Sequence, residues 1–107
     1  LDISLADGTA DDEYLDTLSS ALPSVFDQAR PDLVIYLAGA DPYADDRLGR
    51  LSLTKKGLAE RDRIVYEQCQ AAGVPVAATM AGGYARDVDD IVSIHFETIR
   101  VGIETFN

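Results

Sequence analysis

The segment DLVIYLAG at residues 32–39 is a short, nearly continuous apolar run that ends in glycine. A second run of the same kind, VPVAATM, occupies residues 74–80. Runs of this length and composition are typical of strands covered on both faces, as in a parallel sheet. Pro75 fits the second strand only near its start, because proline has no N–H to donate to a neighbouring strand. We therefore predict two buried, parallel strands.

Helical periodicity surrounds and separates these two runs. Apolar residues recur at steps of three and four between Tyr14 and Ala29, which predicts a first helix that begins near a cap at Thr9. Arg30-Pro31 predicts the end of this helix, since proline moves the preceding residue out of helical geometry. Pro23 lies inside the pattern and predicts a kink or a division.

Two further helices complete the alternation. Thr54 is predicted to cap the second helix, which extends to about Ala72 and stops at Gly73. The residues predicted to face inward on it are Leu58, Val65, Cys69 and Ala72. A third helix is predicted from about Asp87, with one apolar face formed by Val88, Ile91, Val92, His95, Ile99 and Ile103. The alternation of helices and strands indicates an α/β fold with a parallel sheet and flanking helices.

The chain is expected to be one continuous piece of a larger domain. It has 107 residues and neither an internal repeat nor a flexible linker. Residues Leu1 to Leu5 alternate between apolar and polar side chains, which predicts the tail of an element that begins upstream. Two strands of the buried type cannot cover themselves. Their neighbours are therefore expected from upstream sequence or from another copy of the chain.

Charge and composition restrict the function classes. The chain carries 19 acidic and 9 basic residues, a formal net charge of −10 at pH 7. Proteins that bind nucleic acid or anionic membranes need a basic face, so neither partner is expected. No apolar run is long enough to span a bilayer. The single cysteine, Cys69, excludes an internal disulfide and favours a reducing, cytoplasmic location.

Two loops leave the carboxyl ends of the predicted strands, where open α/β sheets gather functional groups. The first loop places Asp41 directly beyond a strand, and the second places Tyr84 after Gly82-Gly83. From position alone, a residue such as Asp41 is more often a turn residue than a functional carboxylate, and one such as Tyr84 is more often a packing residue with an exposed hydroxyl. Asp45-Asp46 is interpreted as solvated charge. His95 is interpreted as a packing residue with satisfied hydrogen bonds.

Short motifs follow one another along nearly the whole chain in a fixed order and spacing. They are Asp7-Gly8-Thr9-Ala10-Asp11-Asp12-Glu13-Tyr14, Pro31-Asp32, Ala38-Gly39-Ala40-Asp41-Pro42, Asp46-Arg47-Leu48-Gly49, Leu53-Thr54, Gly57 and Gly82-Gly83-Tyr84. Together they resemble the C-terminal part of the histone deacetylase superfamily, which includes acetylpolyamine amidohydrolases. The resemblance implies that residues 1–107 are the C-terminal fragment of one catalytic domain with an arginase- or deacetylase-like three-layer α/β fold.

The resemblance also implies Zn²⁺-dependent hydrolysis of an amide bond in an acetylated lysine peptide or an acetylpolyamine. Asp41 matches the zinc-ligating aspartate of the family's Gly-x-Asp loop, and Tyr84 matches the tyrosine that hydrogen-bonds the substrate carbonyl oxygen. Leu48 matches an apolar position that lines the acyl-lysine tunnel. Gly82 and Gly83 match the substrate-facing Gly-Gly-Gly-Tyr loop, from which Ala81 departs. The family's other zinc ligands and its paired histidines lie upstream, so residues 1–107 alone are expected to be inactive.

Two other function classes stay open. The chain could be a non-catalytic α/β module that binds a partner or self-associates through exposed strand edges. It could also be a small nucleotide- or sugar-binding domain that uses the Gly82-Gly83 loop, although neither a Walker lysine nor dinucleotide-binding spacing is present.

Overall fold

The computed structural model of the chain describes residues 1–107 and confirms the α/β class and the predicted order of elements. The elements in chain order are α1 (Asp11–Ala29), β1 (Val34–Ala38), α2 (Lys55–Ala72), β2 (Val76–Met80) and α3 (Val88–Phe106). Each strand is shorter than the apolar run that predicted it. Residues 1–6 form neither a helix nor a strand, so the element predicted from Leu1–Leu5 is absent. No helix combines the length and apolar composition needed to cross a membrane.

The two strands form a parallel sheet, and α2 is the crossover between them. Their register extends from Val34 opposite Val76 to Ala38 opposite Met80. Since parallel strands end at the same edge of a sheet, the loops after β1 and β2 leave side by side. The backbone N–H of Ala40 donates to the carbonyl of Gly82 at 2.6 Å, which continues the pairing beyond the strands.

The start and interior of α1 differ from the prediction. Ala10 occupies the N-cap position without a side-chain hydrogen bond. The Thr9 hydroxyl instead donates to the carbonyl of Ala6 at 2.7 Å, so the predicted Thr9 cap is wrong. The helix also continues through Pro23, so the predicted division is wrong. Pro23 is exposed, and water can therefore reach the one carbonyl that proline leaves without an intrahelical donor. The predicted end is confirmed, with Arg30 in the left-handed conformation.

The N-terminus of α2 is tied to the N-terminus of α1. Thr54 caps α2 as predicted, because its hydroxyl oxygen accepts a hydrogen bond from the Gly57 N–H at 2.9 Å. The Asp11 carboxylate accepts from both the Thr54 N–H at 2.8 Å and the Thr54 hydroxyl at 2.6 Å. A side chain at Gly57 would overlap this carboxylate. At the other end, Gly73 stops α2 in the left-handed conformation, as predicted.

A buried polar network joins β1, α2 and α3. The Arg61 guanidinium donates to the carboxylate of Asp62 at 2.8 and 3.0 Å and to the carbonyl of Gly39 at 2.6 Å. The same carboxylate accepts from the hydroxyls of Tyr36 and Thr98, each at 2.6 Å. Burial is the main cause that raises the pKa of the Tyr36 hydroxyl far above its ordinary value, so this group stays a donor. The network fixes the end of β1 against two helices.

Only one face of the sheet is covered within these residues. Tyr36 and Ala38 are buried beneath α1 and α2, whereas Ile35 and Leu37 on the opposite face are 66% and 70% exposed. The second face has no cover within residues 1–107, and its cover by upstream sequence or another copy of the chain stays a prediction. Both packed helices lie on the Tyr36 side.

Ala72 at the end of α2 is exposed, so the prediction that it faces inward is wrong.

The apolar face predicted for α3 is largely exposed. Val88, Val92, Ile99 and Ile103 are each more than half exposed, together with Phe96. The face that is buried instead carries Ile94, Thr98 and Val101. His95 is half-buried and its Nδ1 atom has no hydrogen-bond partner, so the expectation of satisfied hydrogen bonds is wrong.

We expect Asp62→Ala to lower the free energy of unfolding by about 3–5 kcal/mol, because it leaves Arg61 charged, buried and without its carboxylate. Urea denaturation of the purified protein measures this loss. Asp16→Ala is the matched control, since Asp16 is exposed, and it should change the free energy by less than about 0.5 kcal/mol. Equal stabilities for the two variants would contradict a structural role for the network.

Candidate functional site

The loops that follow β1 and β2 are joined along their length by backbone contacts. Beyond the contact of Ala40 with Gly82, Asp46 and Ala85 form an isolated antiparallel bridge. The N–H of Arg47 donates to the carbonyl of Tyr84 at 3.1 Å. The two loops therefore form one surface at the carboxyl edge of the sheet.

This surface contains an open cavity of about 370 Å³. The lining residues are Asp41, Asp46, Leu48, Gly49, Gly82, Gly83 and Tyr84. All five residues that the sequence singled out are among them. The other two, Asp46 and Gly49, belong to a motif of the family resemblance but were not assigned a role in the site.

Asp41 presents an exposed carboxylate to this cavity. No donor in the chain hydrogen-bonds this carboxylate. Two glycines leave space beside the carboxylate. A Cβ atom at Gly39 would overlap Oδ1 of Asp41, and a Cβ atom at Gly82 would lie 3.4 Å from the same oxygen. The carboxylate is thus accessible and free to bind a ligand.

Tyr84 has a fixed backbone and a free side chain. Its N–H donates to Oδ1 of Asp46 at 2.5 Å, and its carbonyl also accepts from Nε of Arg47 at 3.2 Å. Tyr84 is 52% exposed and its hydroxyl has no partner within the chain. The arrangement holds the start of the side chain in place and leaves the phenol available to a ligand.

Asp46 is buried, so its interpretation as solvated charge is wrong. Its Oδ2 accepts from the N–H groups of Leu48 at 2.9 Å and Gly49 at 2.6 Å, and its Oδ1 accepts from Tyr84. Burial alone would raise the pKa of this carboxyl, but the three backbone donors outweigh burial and hold the pKa below its ordinary value. The Asp-x-x-Gly spacing of residues 46–49 is a turn signal that could have identified the contacts with Leu48 and Gly49, but not the contact with Tyr84.

Arg61 supports the first loop from the interior. It is 4% exposed and donates to the carbonyl of Gly39, two residues before Asp41. A second cavity, of about 240 Å³, lies beside this contact and is lined in part by Tyr14, Arg61 and Asp41. Burial is the main cause that raises the pKa of the Tyr14 hydroxyl. One feature of the sequence could have indicated Arg61, namely the adjacent opposite charges of Arg61 and Asp62 on an otherwise apolar helix face.

The chain does not contain a complete metal site. No group of three or more His, Cys, Asp or Glu residues lies close enough to hold a metal ion. Asp41 is therefore a single free carboxylate at the cavity.

Comparisons with known proteins show the family to which the chain belongs. The family model described as the histone deacetylase domain matches residues 1–99. An uncharacterized protein of Picosynechococcus sp. is 46% identical over 95 residues, which cover 89% of this chain and 32% of that protein. Histone deacetylase 2 of Arabidopsis thaliana is 31% identical over 97 residues, which cover 91% of this chain and 25% of that protein.

A solved structure shows the same fold. The crystal structure of an acetylpolyamine aminohydrolase from Burkholderia pseudomallei superimposes with a TM-score of 0.72 at 19% sequence identity, covering 99% of this chain and 28% of that one. The chain thus spans about a third or less of the length of these proteins. Because the family match extends over almost all of its residues, the chain belongs to the histone deacetylase family and has the α/β fold of the arginase and deacetylase structures.

Proposed function

We propose that the full-length protein hydrolyses the amide bond of an acetylated amine in a Zn²⁺-dependent reaction. The observation that carries this proposal is that the Asp41 carboxylate and the Tyr84 phenol lie on one cavity. Neither group has a hydrogen-bond partner within the chain. Family membership supports the same reaction class.

Asp41 is the residue that would hold the zinc ion. A carboxylate is an ordinary zinc ligand, and this one is accessible and flanked by glycines. A catalytic zinc takes three protein ligands, so the other two would come from outside residues 1–107. When bound, zinc supplies polarisation of the amide carbonyl and lowers the pKa of a water molecule.

Tyr84 would stabilise the charge that develops during hydrolysis. As water adds to an amide, negative charge gathers on the former carbonyl oxygen, and a protonated phenol can donate a hydrogen bond to it. The fixed backbone of Tyr84 limits where this donor can lie. Gly83 and Gly82 carry no side chains that would obstruct the approach of a substrate.

Leu48 and the overall charge would contribute to substrate binding. Leu48 is 69% exposed and lines the cavity, where it can pack against the methylene groups of an acylated lysine or polyamine. The net charge of −10 attracts molecules whose unmodified amines are cationic. Acetylated lysine peptides and acetylpolyamines both belong to this class.

A second candidate is supported by the exposed apolar faces. Ile35 and Leu37 on the sheet, with Phe96 and Ile99 on α3, form apolar surface that an interaction module could use to bind a second copy of itself. In this alternative the loops at the sheet edge have no catalytic role.

We expect Tyr84→Phe to lower kcat/KM on an acetylated lysine peptide or an acetylpolyamine by about 10²–10³-fold, because one donor to the developing oxyanion is lost. Zinc content should stay at the level of the unmodified protein. Tyr43→Phe is the matched control, since the Tyr43 hydroxyl bonds Asp90 and does not line the cavity. Unchanged turnover in Tyr84→Phe would remove Tyr84 from the mechanism.

We expect residues 1–107, expressed alone, to show no deacetylase activity, because they supply one zinc ligand. Turnover of an acetylated lysine peptide is measured alongside sedimentation velocity. Turnover by these residues would contradict the expectation. A discrete, concentration-dependent dimer combined with an inactive full-length protein would instead favour the interaction module.

A further inference from the structure

We propose that Asp46 is a positioning residue that sets the place of the Tyr84 hydroxyl relative to Asp41. This inference rests on the proposed function. It concerns a residue that touches neither the substrate nor the metal in that proposal and acts through the backbone of its neighbours.

A single carboxylate spans the two loops of the cavity. One oxygen accepts from the N–H of Tyr84 in the second loop. The other accepts from the N–H groups of Leu48 and Gly49 in the first loop. Since a carboxylate is rigid and planar, these bonds fix the distance between the Tyr84 backbone and the turn that presents Leu48.

Asp46 holds the N–H of Tyr84, whereas Arg47 holds its carbonyl. The N–H of Tyr84 has no other acceptor, and the Tyr84 hydroxyl has no partner that would orient the ring. Asp46 is 8% exposed, so water competes poorly for the three donors. A buried N–H group that loses its acceptor costs free energy, and the loop would move to recover one.

Both oxygens of Asp46 must be acceptors. Asp46→Asn keeps the size of the side chain but offers one acceptor oxygen, and its amide N–H₂ would face a backbone N–H. Either the hydrogen bond from Tyr84 or the pair of hydrogen bonds from Leu48 and Gly49 is therefore lost. A displacement of a catalytic group by about 1 Å can cost about 10²-fold in rate.

Asp45 provides a matched control. It precedes Asp46 and also connects the two loops, through an ion pair of its carboxylate with Arg86 at 2.6 Å. This pair is exposed and joins two side chains, so it contributes little and does not hold the Tyr84 backbone. Asp45→Asn makes the same chemical change one residue away.

The test is a double-mutant cycle in the full-length protein, with kcat and KM measured on an acetylated lysine peptide and on an acetylpolyamine. We expect Asp46→Asn to lower kcat about 10–100-fold with zinc content within about twofold of the unmodified protein. KM should rise by less than kcat falls, because only the turn that presents Leu48 connects Asp46 with substrate binding. Asp45→Asn should stay within about twofold in kcat. If Asp46 acts through Tyr84, adding Asp46→Asn to Tyr84→Phe lowers kcat little further.

The outcomes separate the inference from the proposed function. Losses that multiply in the double variant, or an unchanged kcat in Asp46→Asn, overturn the positioning role while the function stands. An unmodified full-length protein that is inactive on both substrates overturns the function itself. If Asp46→Asn does not fold, Asp46→Glu carries the same cycle, because it keeps both acceptors and displaces them by one methylene.

Discussion

The carboxylate of Asp46 is the interaction on which the candidate site depends. The pairing of β1 with β2 ends at Ala38 and Met80, so the sheet alone brings the two loops to one edge without fixing their spacing. Backbone contacts join the loops further along. Asp46 adds three hydrogen bonds, one from the Tyr84 N–H across the two loops and two that hold the turn of the first loop. Each is charge-assisted and shielded from water, which makes it stronger than a neutral hydrogen bond.

The ion pair of Arg61 and Asp62 anchors this arrangement in the interior. A buried ion pair adds little net stability, but removing either partner is costly. Here the pair also holds the Gly39 carbonyl and the Thr98 hydroxyl, so it connects the end of β1 with α3. The start of the first loop is therefore held by the hydrogen bond from Arg61 to the Gly39 carbonyl. The turn at residues 46–49 is held by Asp46.

The local features of the sequence predicted much of the fold. Apolar runs predicted both strands, and Thr54 and Gly73 predicted the ends of α2, because these signals act within a few residues. The position of Asp41 and Tyr84 on one cavity was also predictable, since parallel strands end at the same edge of a sheet. The burial of Asp46 was not, because it depends on an N–H that lies 38 residues away. The apolar pattern of α3 predicted an amphipathic helix but could not say which of its faces would be covered here.

The most direct test of this account is a crystal structure of the full-length protein, with anomalous diffraction recorded at the zinc edge. We expect a zinc ion bound by the Asp41 carboxylate at about 2.0–2.2 Å, in the cavity that Tyr84 lines. The Tyr84 N–H should still donate to Asp46. A zinc ion bound elsewhere, with Asp41 free of the metal, would contradict the account.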